Sequence, residues 1–230
     1  MNEFYRTFTL GPARALITER VEPVPDEPGE PGRRALAAVE PAAVLVRVHQ
    51  VHGERLYHAA GPTVEPYPRA DAVAVERPLL AAAVLTADCL PLLLADGAGR
   101  VVAAVHCGWR GVYGDIAGRV VAELSERYAV EPADLHGHLG PGAASCCYEV
   151  SPELAGRFTE RCGAGCVVEG AGPRPHLDLP GLVREQLVAA GMHGERIGGG
   201  GACTICGGRW FSHRRGDAGR ITSAVWLPEG

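Results

Sequence analysis

The 230 residues carry 27 acidic and 22 basic side chains, a formal net charge of −5 and a pI near 6.0. That balance gives no basic footprint for DNA or RNA. Every basic residue is Arg, which excludes a P-loop lysine, a Schiff-base lysine and a lysine-held pyridoxal phosphate.

No apolar run approaches the ~20 residues needed to cross a bilayer, so no membrane association is expected. The start Met1-Asn-Glu-Phe-Tyr-Arg6 lacks the basic region and apolar stretch of a secretory signal. Eight cysteines in such a chain read as thiols and metal ligands of a cytoplasmic protein rather than as a disulfide framework. One domain over residues 1–230 is expected, acting as a monomer, with enough length to bury a core unaided.

In chain order, residues 22–34 are rich in Pro, Glu and Gly and predict a flexible surface loop. Short apolar, β-branched runs at 43–51, 55–60, 71–76, 81–86, 91–95 and 101–107 predict strands. Val112, Ile116, Val120, Val121 and Leu124 have helical spacing and predict a helix over 112–128. His136 and His138 alternate on one face of a predicted strand, a solvated or loop-covered face. Ser151 and Pro152 open a second helix as N-cap and first residue. A third helix runs from Leu182 to Ala190 and stops at Gly191, and the last strand spans Ile221 to Leu227. A strand-rich first half followed by alternating elements implies an α/β domain with a mixed sheet.

His52, Cys89 and His106 each end one of the apolar runs, and a strand end presents a side chain from a rigid base. Two imidazoles and a thiolate suit Zn²⁺, leaving a fourth position open for water or substrate. The same set suits blue copper, but that needs a weak axial ligand, and Met1 and Met192 stand in no suitable motif. Only one His-x-His pair occurs, so a multicopper oxidase is disfavoured. His49 is expected on the opposite strand face as a structural residue. Cys203-Thr-Ile-Cys206 is a single CxxC, best explained by packing, although Cys146 and Cys147 could complete a second zinc site.

The words around these residues are Gln50-Val-His-Gly53, Thr86-Ala-Asp-Cys-Leu-Pro91, His106-Cys-Gly-Trp-Arg-Gly111, Leu139-Gly-Pro-Gly through Cys147-Tyr-Glu-Val150, and Cys203-Thr through Phe211-Ser-His-Arg-Arg215. In this order they resemble the YfiH, or laccase-domain, family of purine nucleoside phosphorylases, from about Leu45 to Leu227. The resemblance implies an α/β/β/α sandwich with mixed sheets and a catalytic zinc on His52, Cys89 and His106. It implies phosphorolysis of adenosine, inosine, guanosine and methylthioadenosine by inorganic phosphate, with adenosine deamination at the same site. Arg20, Arg110 and Arg214 then stand as substrate-binding residues, since a guanidinium offers paired donors to phosphate or a purine edge.

Asp88 or Asp71 would serve to shuttle a proton; Asp71 is also a candidate substrate contact, while Asp88 either orients a ligand imidazole or braces its turn. The chain departs from the family where Val21-Glu22 replaces two glycines, His213 a tyrosine and Gly216 an aspartate, which bears on nucleoside selection. Two other readings stand beside this one. One is a Cys89/His106 amidohydrolase of the kind linked to peptidoglycan precursor editing. The other is a substrate-binding module that has lost activity.

Overall fold

The computed structural model describes residues 4–169 and 172–229; Met1 lies outside them. The chain opens with a hairpin, β1 (Tyr5–Leu10) and β2 (Ala13–Thr18), turning at Gly11 with φ +57°. Helix α1 (Glu30–Val39) follows, then β3 (Val44–Val46), β4 (Leu56–His58), β5 (Ala72–Val75), β6 (Leu80–Thr86), β7 (Leu90–Asp96) and β8 (Val102–Cys107). Two helices, α2 (Trp109–Tyr113) and α3 (Ile116–Tyr128), lead into β9 (Leu135–Leu139) and α4 (Pro152–Cys162). A small hairpin, β10 (Val167–Glu169) and β11 (Pro175–Leu177), precedes α5 (Leu179–Ala189), β12 (Ile197–Gly199) and β13 (Ile221–Trp226).

The strands form a five-stranded sheet, β1-β2-β13-β6-β3, and a six-stranded sheet, β12-β9-β7-β8-β5-β4. Both are mixed: β3 runs parallel to β6, β4 to β5 and β12 to β9, while their other pairings are antiparallel. Period-two alternation along each strand divides the core into layers. On β6, Leu80, Ala82 and Val84 join Leu93, Ala95, Val102 and Ala104 of the facing sheet, whereas Ala81 and Ala83 turn outward beneath Leu36 of α1. On β7, Leu92 and Leu94 pack outward with Val120, Val121 and Leu124 of α3 and Leu187 of α5. Each leucine buried this way contributes about 2 kcal/mol by removal from water. Helix, sheet, sheet and helices therefore stack as the α/β/β/α sandwich that the motif resemblance implied. Among the described residues no helix is long and apolar enough to cross a membrane.

Several elements differ from the sequence expectation. The 22–34 loop ends early, because Glu30 starts α1 with Pro31 in its first turn. The helix expected over 112–128 is two helices. Asp115 sits between them at φ +65° and caps α3 through an N–H from Gly118. Ser151 caps α4 as expected, accepting from Leu154 N at 3.2 Å. Asp178 moves the start of α5 back to Leu179 by accepting from Gly181 N at 3.1 Å. At the β7–β8 turn, fully buried Asp96 is held on both oxygens by Arg100, at 2.7 and 2.9 Å.

Candidate active site

The chain leaves β3 at Val46 and runs irregularly to Gly53. Gln50 fixes this segment by pairing with one residue of β6 as a backbone would: its Nε2 donates to Leu85 O and its Oε1 accepts from Leu85 N, both at 2.8 Å. Two residues on, His52 adopts φ +60°. That left-handed conformation is strained for a residue with a Cβ and persists only where the surroundings enforce it. Asp71, fully buried just before β5, supplies the enforcement. Its Oδ1 accepts from His52 N at 2.8 Å, and its Oδ2 from Gly53 N at 2.7 Å and Val51 N at 3.2 Å.

The same carboxylate reaches His106 on β8, with Oδ1 2.9 Å from Nδ1. This contact assigns the Nδ1 proton to the Asp71 side and leaves Nε2 facing the site. Burial opposes Asp71 ionisation, but hydrogen bonds from His106 and from the Gly53 and His52 amides hold its carboxyl below the usual range. Cys89 arrives on the turn between β6 and β7, behind Asp88 at φ +82°. The ligand atoms of His52, Cys89 and His106 lie within 4.8 Å of one another, and the two imidazoles meet edge to face at 4.9 Å. Gly108 closes the cluster: a Cβ there would stand 3.2–3.5 Å from all three side chains.

Burial raises the Cys89 thiol, yet hydrogen bonds to His106 and His52 bring it down to about 6. For His106 burial works the other way, and Asp71 and Cys89 outweigh it to lift the imidazole to about 9. The donors thus favour a thiolate beside an imidazolium; with that ring proton released on binding, the set matches a zinc site with an open fourth position. Neighbouring Cys107 is fully buried and its thiol is pushed well up, which leaves it inert.

The cluster opens into a cleft of about 460 Å³, whose walls include Arg47, His49, Tyr67, His213 and Arg220. His49 corrects the sequence expectation. The segment carrying it is not a strand, so alternation does not set its direction, and it lines the cleft alongside His52. Arg47, Tyr67 and Arg220 were missed because no motif contains them; Arg47 stacks over Tyr67 at 4.7 Å.

Asp88 braces its turn rather than an imidazole. It accepts from Thr204 Oγ1 at 2.6 Å and from Arg214 N at 2.7 Å, joining the 203–215 segment to the Cys89 turn. Arg214 stacks over Tyr148 at 5.2 Å and Arg110 over Trp109 at 4.5 Å. Burial and the nearby Cys89 raise Tyr148 to about 12, against the opposing charges of Arg214 and Arg110. Both arginines thus lie near Tyr148, and neither is among the cleft residues. Arg20 stands apart: its donors go to Glu22 and Asp217 at 2.9–3.1 Å, and it is not among the cleft residues. Gly216, which replaces the family's aspartate, takes φ +86°, and the next residue, Asp217, accepts from Ser212 N at 2.8 Å and pairs with Arg215.

His136 and His138 belong to neither metal-competent group among the described residues. The β1–β2 hairpin covers them, with Phe8 4.4 Å from His138 and Gly11 against His136.

Residues 30–228 match the family model described as multi-copper polyphenol oxidoreductase laccase. A Xylella fastidiosa (strain 9a5c) protein named purine nucleoside phosphorylase is 38% identical over 190 residues, covering 78% of this chain and 71% of its own. A Deinococcus radiodurans protein of the same name is 35% identical over 223 residues, 96% and 85% of the two chains. Escherichia coli purine nucleoside phosphorylase YfiH is 35% identical over 208 residues, 88% and 82% of the two chains. A solved Neisseria meningitidis structure of family DUF152 superposes with a TM-score of 0.81 at 30% identity, covering 98% of this chain and all of that one. Motifs, fold and relatives agree, and the chain belongs to the YfiH, or laccase-domain, family.

Proposed function

We propose that this chain is a zinc-dependent purine nucleoside phosphorylase that also deaminates adenosine, with His52, Cys89 and His106 holding the metal. The observation that carries the reading is the convergence of those three donors on one open-sided cluster. Relatives named purine nucleoside phosphorylase support the reaction class. When bound, zinc would supply a Lewis acid for the sugar or base.

The remaining work falls to the chain itself. Phosphorolysis forms a bond from a phosphate oxygen to C1′ and breaks the glycosidic bond, giving base and ribose 1-phosphate. Adenosine, inosine, guanosine and methylthioadenosine present the same C1′–N9 linkage to this chemistry. Arg110 and Arg214, on the Tyr148 side of the cluster, are suited to hold phosphate through charge-assisted donors. Arg20 has its donors committed to carboxylates and supports the fold near Phe211. Tyr67, His49 and His213 give the cleft flat, partly polar walls of the kind a purine needs. Asp71 fixes the tautomer of His106, and Asp88 keeps the Cys89 turn in place.

A second reading rests on the Cys89 thiol near 6 beside an imidazole near 9, a pair competent for nucleophilic hydrolysis without metal. One experiment separates the two. Chain purified without chelator is assayed with inosine and phosphate, stripped of metal, and assayed again after zinc is restored. Phosphate-dependent release of hypoxanthine that is lost and regained with zinc supports the phosphorylase. Thiol-dependent amide hydrolysis that survives stripping supports the hydrolase, and no turnover in either assay supports a binding module.

A further inference from the structure

Half of the cysteines form a second cluster, away from His52, Cys89 and His106. The segment after β9 carries Cys146 and Cys147, and the segment after β12 carries Cys203 and Cys206. All four sulfurs lie within 4.8 Å of one another. Cys206 Sγ is 3.3 Å from Cys146 Sγ and 3.1 Å from Cys147 Sγ.

Packing, the expectation from sequence, does not account for this group. Structural thiols are among the most buried side chains, whereas Cys146 and Cys206 are exposed and Cys147 and Cys203 only half-buried. The backbone holds the two pairs in register: Gly142 bridges Cys203, with Gly142 N donating to Ala202 O at 3.1 Å and Thr204 N to Gly142 O at 3.0 Å. Tetrahedral coordination at ~2.3 Å per Zn–S bond sets sulfurs about 3.8 Å apart. The spacings of 3.3 and 3.1 Å are shorter than this by less than about 1 Å, and the 4.8 Å limit on the group exceeds it by about 1 Å. Cys206 is also shared between two thiol neighbours. One disulfide would use only one of them, but a central cation uses all four.

We propose that Cys146, Cys147, Cys203 and Cys206 bind a structural zinc ion, independent of the centre at His52, Cys89 and His106 and of any nucleoside chemistry. Each thiol that ligates gives its proton to solvent. The anionic site would sit beside Arg215, whose guanidinium already caps the carbonyls of Thr204, Ile205 and Gly207 in the same loop. The ion would pin two segments that reach the catalytic cluster, through Thr204 on Asp88 and through Tyr148 beneath Arg214.

The test uses Cys89→Ala, which removes a ligand from the other centre. Protein purified without chelator is analysed for metal and by zinc X-ray absorption. The expected result is one tightly held zinc per chain with a sulfur-only shell at ~2.3 Å, lost when Cys203→Ser and Cys206→Ser are added. Folded Cys89→Ala that holds no zinc, or that shows a disulfide within this group on anaerobic thiol counting, overturns the proposal. Should a variant fail to fold, the unmodified chain decides. Zinc in a shell where sulfur outnumbers nitrogen, at one or two ions per chain, supports the site, and a single zinc whose shell is mostly nitrogen and oxygen rejects it.

Discussion

One carboxylate sets two of the three candidate ligands: Asp71 accepts from His106 Nδ1 and, through its other contacts, from the amides of His52 and Gly53. It couples a side-chain tautomer to a strained backbone. Asp71→Asn keeps the shape but offers an amide that cannot accept on both atoms. Zinc affinity, read by competition with a chromophoric chelator, should fall by about ten- to hundredfold, as for other supports of ligating histidines. An unchanged affinity would mean that the left-handed His52 backbone holds itself.

Gly111 tests the same segment from the opposite side. A Cβ there would come 2.9 Å from Gly53 O, a backbone atom that cannot swing away. Gly111→Ala should therefore weaken metal binding and activity without touching a ligand, while Gly156→Ala on α4, where a Cβ meets nothing within 4 Å, should leave both intact. Equal behaviour of the two variants in metal titration would contradict the mechanism.

The phosphate assignment separates by reaction. Arg110→Ala and Arg214→Ala should raise the KM for phosphate by roughly ten- to hundredfold, the worth of a charge-assisted contact. Adenosine deamination, which uses no phosphate, should change much less. Arg20→Ala should lower thermal stability and leave the phosphate KM near its original value. If all three depress both reactions alike, the phosphate pocket has other owners, with Arg47 and Arg220 next in line.

Asp96 supplies a pH signature unrelated to metal. The hydrogen bonds from Arg100 outweigh burial and hold its carboxyl below the usual range. A carboxyl depressed on folding stabilises fully above its unfolded value of about 3.9, and that contribution is lost as pH falls through the lower folded value. Asp96→Asn should cost about 1–2 kcal/mol near neutrality, with the difference from the parent shrinking in acid denaturation below pH ~4. A gap that stays constant across that range would refute the assignment.

The sequence exposed some of this plainly and concealed the rest for physical reasons. The central strands were readable because Leu90–Asp96 and Val102–Cys107 are buried on both faces and so are nearly continuous apolar runs. The β1–β2 hairpin was not, because Tyr5–Leu10 is an edge strand in which only Leu10 is buried and Arg6, Thr7 and Thr9 are exposed. Periodicity carried the α3 reading across Asp115, since a left-handed cap leaves no mark in an apolar pattern. His52, Cys89 and His106 were legible through the words around them. Arg47, Tyr67 and Arg220 enter the cleft only through tertiary contact, and the pairing of Cys146 and Cys147 with Cys203 and Cys206 depends on a bridge between segments far apart in sequence.

The three candidate ligands come from both halves of the sandwich. His52 follows β3 of the five-stranded sheet, His106 lies on β8 of the six-stranded sheet, and Cys89 sits on the β6–β7 turn where the chain crosses between them. An ion held there would rivet the two sheets at one end, so catalytic centre and mechanical fastener would be a single object. Its binding energy then adds to the folding free energy, because the unfolded chain has no such constellation. Melting temperature should climb with free zinc even when no substrate is present, and chain synthesised in metal-poor medium should yield to proteases first at that end of the sandwich.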